Sequence, residues 1–101
     1  MSVSLETLGD VQVAAGDLKG ARQSFEESLQ MARRLAAANP NSAAAQRDVA
    51  VSMWKLASLP DSPIRWAEVA ATWRHLVKLG LLPPRDAGFV AEAERRAAAQ
   101  R

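Results

Sequence analysis

LETLGDVQVAAGDLKGARQSF, residues 5–25, is the stretch whose reading decides the fold. It holds one helical pattern, a break at Gly16-Asp17, and the start of a second helical pattern. Gly16 suits the left-handed position that closes a helix, and Asp17 is a good N-cap for the next one. The pattern returns further along at an offset of 48 residues, which brings Val3-Ser4-Leu5 onto Val51-Ser52-Met53. At the same offset Leu8 meets Leu56, Gly9 meets Ala57, Leu18 meets Trp66, Ala21 meets Val69, Phe25 meets Trp73 and Leu29 meets Val77. An internal repeat is the mark of a stacked architecture. Stacked repeats make extended surfaces, so the expected class of activity is binding another macromolecule.

Working outward, helix 1 is expected from about Met1 to Ala15, with Leu5, Leu8, Val11 or Gln12, and Ala15 on one stripe. Helix 2 follows Asp17, with Leu18, Ala21, Phe25, Leu29, Ala32 and Leu35 recurring at steps of three and four. Asn39-Pro40-Asn41 breaks it, and Ser42 caps a third helix running to Leu59 with Ala45, Val49, Met53 and Leu56 inward. Ser62 and Pro63 are expected to open helix 4, as N-cap and first helical residue. Trp66, Val69 or Ala70, Trp73, and Leu76 or Val77 form its inner stripe before Gly80 ends it. After Leu81-Leu82-Pro83-Pro84 a last helix runs from about Arg85 to Gln100, presenting Phe89, Val90, Ala93 and Ala97. Glu92 precedes Arg96 by one turn, the favourable order for an exposed pair. No segment alternates with period two, so no strand is expected and the fold class is all-α.

In Leu5-x-x-Leu8-Gly9, Gly16-Asp17 and Ala21-x-x-x-Phe25 the chain resembles the tetratricopeptide (TPR) family, whose repeats pair two antiparallel helices. Gly9 and Ala21 would let the helix backbones approach, and Phe25 would fill the space beyond them. The second copy keeps Leu56 and Ala57 but carries Val69 and Trp73 in place of the Ala and Phe. Two departures stand out. Gln12 occupies a position where an aromatic is usual, and the spacing of 48 residues exceeds the family's roughly 34. The resemblance covers about residues 3–79. It implies antiparallel hairpins in a right-handed superhelix: repeat 1 over 1–41, repeat 2 over 42–80, and a capping helix over 84–101. Helix 3 begins well ahead of Val51 while little precedes Val3, so the chain is expected to be the C-terminal portion of a longer array, in keeping with the need for about three stacked units.

Composition narrows the chemistry. The chain has 101 residues, no cysteine and a net charge of +2. Residues 1–32 carry −3 and residues 33–101 carry +5, with adjacent bases only at Arg33-Arg34 and Arg95-Arg96. Phosphate recognition usually needs a clustered basic face, so a nucleic-acid-binding array is only a distant alternative. Disulfide and thiol chemistry are excluded. No apolar run approaches a membrane span and no secretory signal is visible, so no membrane partner is expected and the cytoplasm is the default location.

Catalysis finds no support. His75 is the only histidine, and no second His or Cys completes a metal site with it. Glu26-Glu27 and the Glu92/Glu94 pair diverge around their helices and cannot converge on one atom. No phosphate-binding glycine loop is present. Neither an enzyme nor a cofactor is expected. Trp66 and Trp73 lie on the core stripe of helix 4. Trp54 lies off the stripe of helix 3, where it is either a binding anchor or the surface covered by the final helix. The TPR resemblance implies a concave face formed by the first helix of each repeat, here Glu6, Asp10, Val13, Trp54, Lys55 and Ser58. Such a face would hold a peptide or partner helix. The alternative is self-association as a homodimer through the open side of helix 1, where Val3, Thr7, Val11 and Ala14 lie.

Overall fold

The computed structural model describes residues 5–60, 62, 64–82 and 84–100, with side chains from residue 7 onward. The described residues form five α-helices and one short 3-10 turn, with no strand: α1 (Leu5–Ala14), α2 (Leu18–Ala38), α3 (Ala43–Ala57), α4 (Trp66–Lys78), the turn Pro84–Asp86, and α5 (Ala87–Ala99). The radius of gyration, 13.5 Å, is close to the ~13 Å of a compact domain of this length. Every helix packs on its neighbours in the chain, α1 on α2, α2 on α3, α3 on α4 and α4 on α5.

The breaks fall where the punctuation of the sequence puts them. Gly16 has φ 83° and Gly80 has φ 71°, a region that costs a glycine little and other residues more. The Asp17 carboxylate accepts from the Gly20 N–H at 3.0 Å, and the Ser42 hydroxyl accepts from the Ala45 N–H at 3.2 Å. Each satisfies a donor that has no partner inside its helix. Helix α4 departs from expectation. It starts at Trp66, not at residue 63, and Pro63 lies outside the described residues. Ser62 folds onto the loop instead, accepting from the Ile64 N–H at 3.0 Å. The N-terminus of α4 is closed by Glu68, whose carboxylate accepts from the Arg65 N–H at 2.9 Å.

Helices α1 and α2 run antiparallel with their backbones close. A Cβ placed on Gly9 would stand 2.7 Å from Cδ1 and 2.8 Å from Cζ of Phe25, so the ring occupies the space that a larger residue would need. Further along the same seam Ser24, itself buried, donates to the Gln12 side-chain oxygen at 2.7 Å. Between α2 and α3 the Ser28 and Ser52 hydroxyls lie 3.3 Å apart.

One contiguous core joins Ala21, Phe25 and Leu29 of α2 to Ala50, Met53 and Leu56 of α3. It continues through Trp66, Val69, Trp73 and Leu76 of α4 to Ala93 of α5. The helix 2 stripe needs correcting at both ends: Leu18 and Leu35 are exposed, and Ala36 is buried where Leu35 was expected. Leu8 and Val77 are exposed too. At ~100° per residue, the step of four from Ala32 to Ala36 stays on the buried face, whereas the step of three to Leu35 turns off it.

Helix α5 lies antiparallel on α4. The Trp66 N–H donates to the Gln100 side-chain oxygen at 2.9 Å at one end, and Trp73 stacks on Phe89 at 5.3 Å towards the other. Trp54 completes this cluster from α3, edge-on to Trp66 at 4.9 Å and to Phe89 at 5.5 Å. The Arg96 guanidinium lies 4.8 Å from the Trp66 ring centre and 5.5 Å from that of Trp54. Of the two sequence readings of Trp54, the structure gives the one in which α5 covers it. Arg96 is in turn held by Glu92 at 2.9 Å. The indole N–H of Trp73 is buried and has no acceptor among the described residues.

The start of α5 is fastened by a pair that sequence patterning does not reveal. The Asp86 carboxylate is buried and accepts from Arg47 Nε at 2.7 Å, with a second, longer contact of 3.4 Å from the guanidinium. The hydrogen bond from Arg47 holds the Asp86 carboxyl below its usual pKa, against the opposing effect of burial.

A candidate binding furrow between the first and third helices

Helices α1 and α3 do not follow one another in the chain, yet they meet along one side of α2. The contact is an ion pair: Lys55 Nζ donates to Asp10 Oδ2 at 2.7 Å. Below it lies a surface depression of about 280 Å³ lined by Asp10, Val13, Phe25, Lys55, Ser58 and Leu59. Asp10 and Val13 are three apart on α1 and therefore share a face. Lys55 and Ser58 are three apart at the end of α3 and face them. Phe25 forms the floor, with the Lys55 ammonium 5.8 Å from its ring centre.

Four of the six candidate residues, Asp10, Val13, Lys55 and Ser58, thus gather in one place. Trp54 does not join them. Adjacent helical residues point ~100° apart, so with Lys55 turned to α1, Trp54 is turned to α4 and α5, where the aromatic cluster holds it. The side chain of Glu6 lies outside the described residues. The structure also adds positions. Leu59 lines the furrow and, with Pro60, Leu18, Lys19 and Arg22, a second depression of about 310 Å³. The two meet at Leu59. Leu18 fits the α2 stripe but stands at the first position of the helix, where the neighbouring helices leave it exposed. Leu59 and Pro60 carried no signal beyond ending a helix.

The electrostatics of the furrow are mild. The Asp10 side chain is 57% exposed and that of Lys55 27%, so water screens their attraction and the pair contributes only about 0–1 kcal/mol. Ser58 donates to the Trp54 carbonyl oxygen at 2.9 Å, an internal bond of the last turn of α3. No group of His, Cys, Asp and Glu among the described residues could hold a metal ion. No described helix is long and apolar enough to cross a membrane. A comparison with protein-family models, curated proteins and solved structures found no match.

Proposed function

We propose that this chain is a protein-interaction module built of TPR-like helical hairpins, which holds a peptide or partner helix in the furrow between α1 and α3. One observation carries the reading: side chains from two helices distant in sequence converge on a depression floored by Phe25. Apolar contact would come from Val13 and Leu59, extended by Leu18 where the second depression begins. Charge would set selectivity. Because the Asp10–Lys55 pair is exposed and weak, a ligand carboxylate can take Lys55 and a ligand base can take Asp10 at little cost. The furrow has two charges of opposite sign and no cluster of bases, which suits a mixed-charge peptide better than a terminal carboxylate.

The test is a peptide-display selection on the full chain, followed by affinity measurements on Val13→Asp and Lys55→Glu. Peptides using the furrow should lose tenfold or more in affinity on both variants, about 1.4 kcal/mol or greater. They should bind Trp54→Phe as they bind the parent. Selected peptides indifferent to both Val13 and Lys55 would move the binding surface elsewhere.

A further inference from the structure

We propose that α2 offers a self-complementary edge to a second copy of this chain, the two α2 helices pairing antiparallel about a two-fold axis beside Met31. Helix α2 is covered on its core side by Ala21, Phe25, Leu29, Ala32 and Ala36. At ~100° per residue, Glu27, Met31 and Arg34 fall within an arc of about 60° on the far side from that stripe. All three are exposed. Met31 is 53% accessible and Leu35, next to this arc, is 54%. On α1, Leu8 and Val11 point away from the face that carries Asp10 and Val13, and are 41% and 60% accessible. Met31 of α2 and Leu8 and Val11 of α1 therefore lie along one side of the α1–α2 pair, while Leu35 shares the direction of Ser28, which meets Ser52 of α3.

The charges on this edge select the occupant. Arg22 pairs with Glu26 at 3.0 Å and Arg96 with Glu92 at 2.9 Å, each at one turn's spacing within its own helix. Glu27 and Arg34 are two turns apart, ~10 Å along the axis, too far to pair with each other. Arg34 makes no ion pair among the described residues. Glu27 has only a 3.5 Å contact from Gln23. A two-fold axis midway between positions 27 and 34 brings Glu27 of each copy onto Arg34 of the other, with the two Met31 side chains in contact between them. It also lays α1 of one copy along the Met31–Ala38 half of α2 in the other, so Leu8 and Val11 enlarge the apolar contact towards the roughly 1,000 Å² a specific interface needs. An isologous pairing of this kind closes on itself. It leaves the furrow between α1 and α3 open, so it stands or falls independently of peptide binding.

Sedimentation velocity on the full chain over low to high micromolar concentration tests the pairing. The parent should shift from monomer to dimer, and Met31→Glu should remain monomeric with unchanged helix content by circular dichroism. Glu27→Arg alone places like charges at both symmetric contacts, and so does Arg34→Glu alone. Each should weaken dimerisation tenfold or more. An equimolar mixture of those two variants restores both opposite-charge contacts and should recover a heterodimer of near-parental affinity, which also shows that both variants are folded. A parent that stays monomeric at several hundred micromolar overturns the proposal. So does undiminished dimerisation of the single reversals, or a mixture that fails to associate.

Discussion

Gly9 and Phe25 show how far a single pair of residues determines the packing of two helices. In an exposed helix interior, Gly→Ala normally stabilises by about 1 kcal/mol. Here the new Cβ would stand 2.7 Å from Cδ1 of a ring that is itself 2% exposed and cannot move aside freely. Gly9→Ala is therefore expected to destabilise the chain despite the better helix propensity, with a lower urea midpoint than the parent. Phe25→Ala should cost about 3–5 kcal/mol, most of the stability of a small domain. Gln30→Ala on the exposed face of the same helix should leave the midpoint nearly unchanged. Equal midpoints for Phe25→Ala and Gln30→Ala would mean that the register of α2 is wrong. These contacts were legible in the sequence because small residues and one large ring recur at fixed spacing. The Gln12–Ser24 bond was not. Gln12 stood out only as a departure from an aromatic, and nothing in spacing tells which buried hydroxyl will meet its amide. The structure supplies the reason: Ser24 has lost water and donates to Gln12 at 2.7 Å. An aromatic at position 12 would leave that hydroxyl without this acceptor, at a cost of about 1–3 kcal/mol.

Among whole elements, α5 is the instructive case. Its existence and inner stripe, with Ala93 buried and Val90 and Ala97 half-buried, followed from helical periodicity. Its fastening did not, because Arg47 and Asp86 are 39 residues apart and one acid and one base at that distance are indistinguishable from solvated surface charges. The same limit applies to Trp54. Its place off the α3 stripe was readable, but its partners Trp66, Phe89 and Arg96 come from two other helices. The Arg47–Asp86 pair makes the docking of α5 sensitive to acid. Arg47 lowers the pKa of Asp86 in the folded chain relative to the unfolded one. The folded state therefore binds the proton less readily, and the pair's contribution is complete above about pH 4, the ordinary aspartate range. It fades as pH falls through the lower folded value. Asp86→Asn should lower the melting temperature at neutral pH, reflecting a loss of about 1.5–3 kcal/mol of stability for a lost charged hydrogen bond. It should also flatten the decline in stability below pH 4. A variant whose pH profile runs parallel to that of the parent would remove Asp86 from the acid response.

Across the whole molecule, the sequence repeat describes two equivalent halves, whereas the structure is continuous. The apolar cluster passes without interruption from Phe25 and Leu29 through Leu56 to Trp73 and Ala93. The polar seam follows the same course, from Gln12–Ser24 to Ser28–Ser52 and on to the Thr72 hydroxyl, 3.3 Å from the Met53 sulfur. The second half also differs in kind, because α4 packs more extensively on α5 than on α3. Alignment at a fixed offset could not show this, since α5 has no counterpart in the first copy. The tryptophans turn the question of continuity into a measurement. All three lie where α3, α4 and α5 meet, while α1 and α2 contain none. Tryptophan emission therefore reports the C-terminal part alone, and the far-ultraviolet circular dichroism signal reports every helix. If the core acts as one cooperative unit, urea unfolding followed by the two signals should give coincident midpoints and slopes, the signature of a two-state transition. Phe25→Ala should then move both transitions together although it lies in the half without tryptophan. If that variant shifted the circular dichroism transition and left the emission transition in place, the α1–α2 pair would be a separate folding unit. The furrow between α1 and α3 would then join two parts free to move against each other.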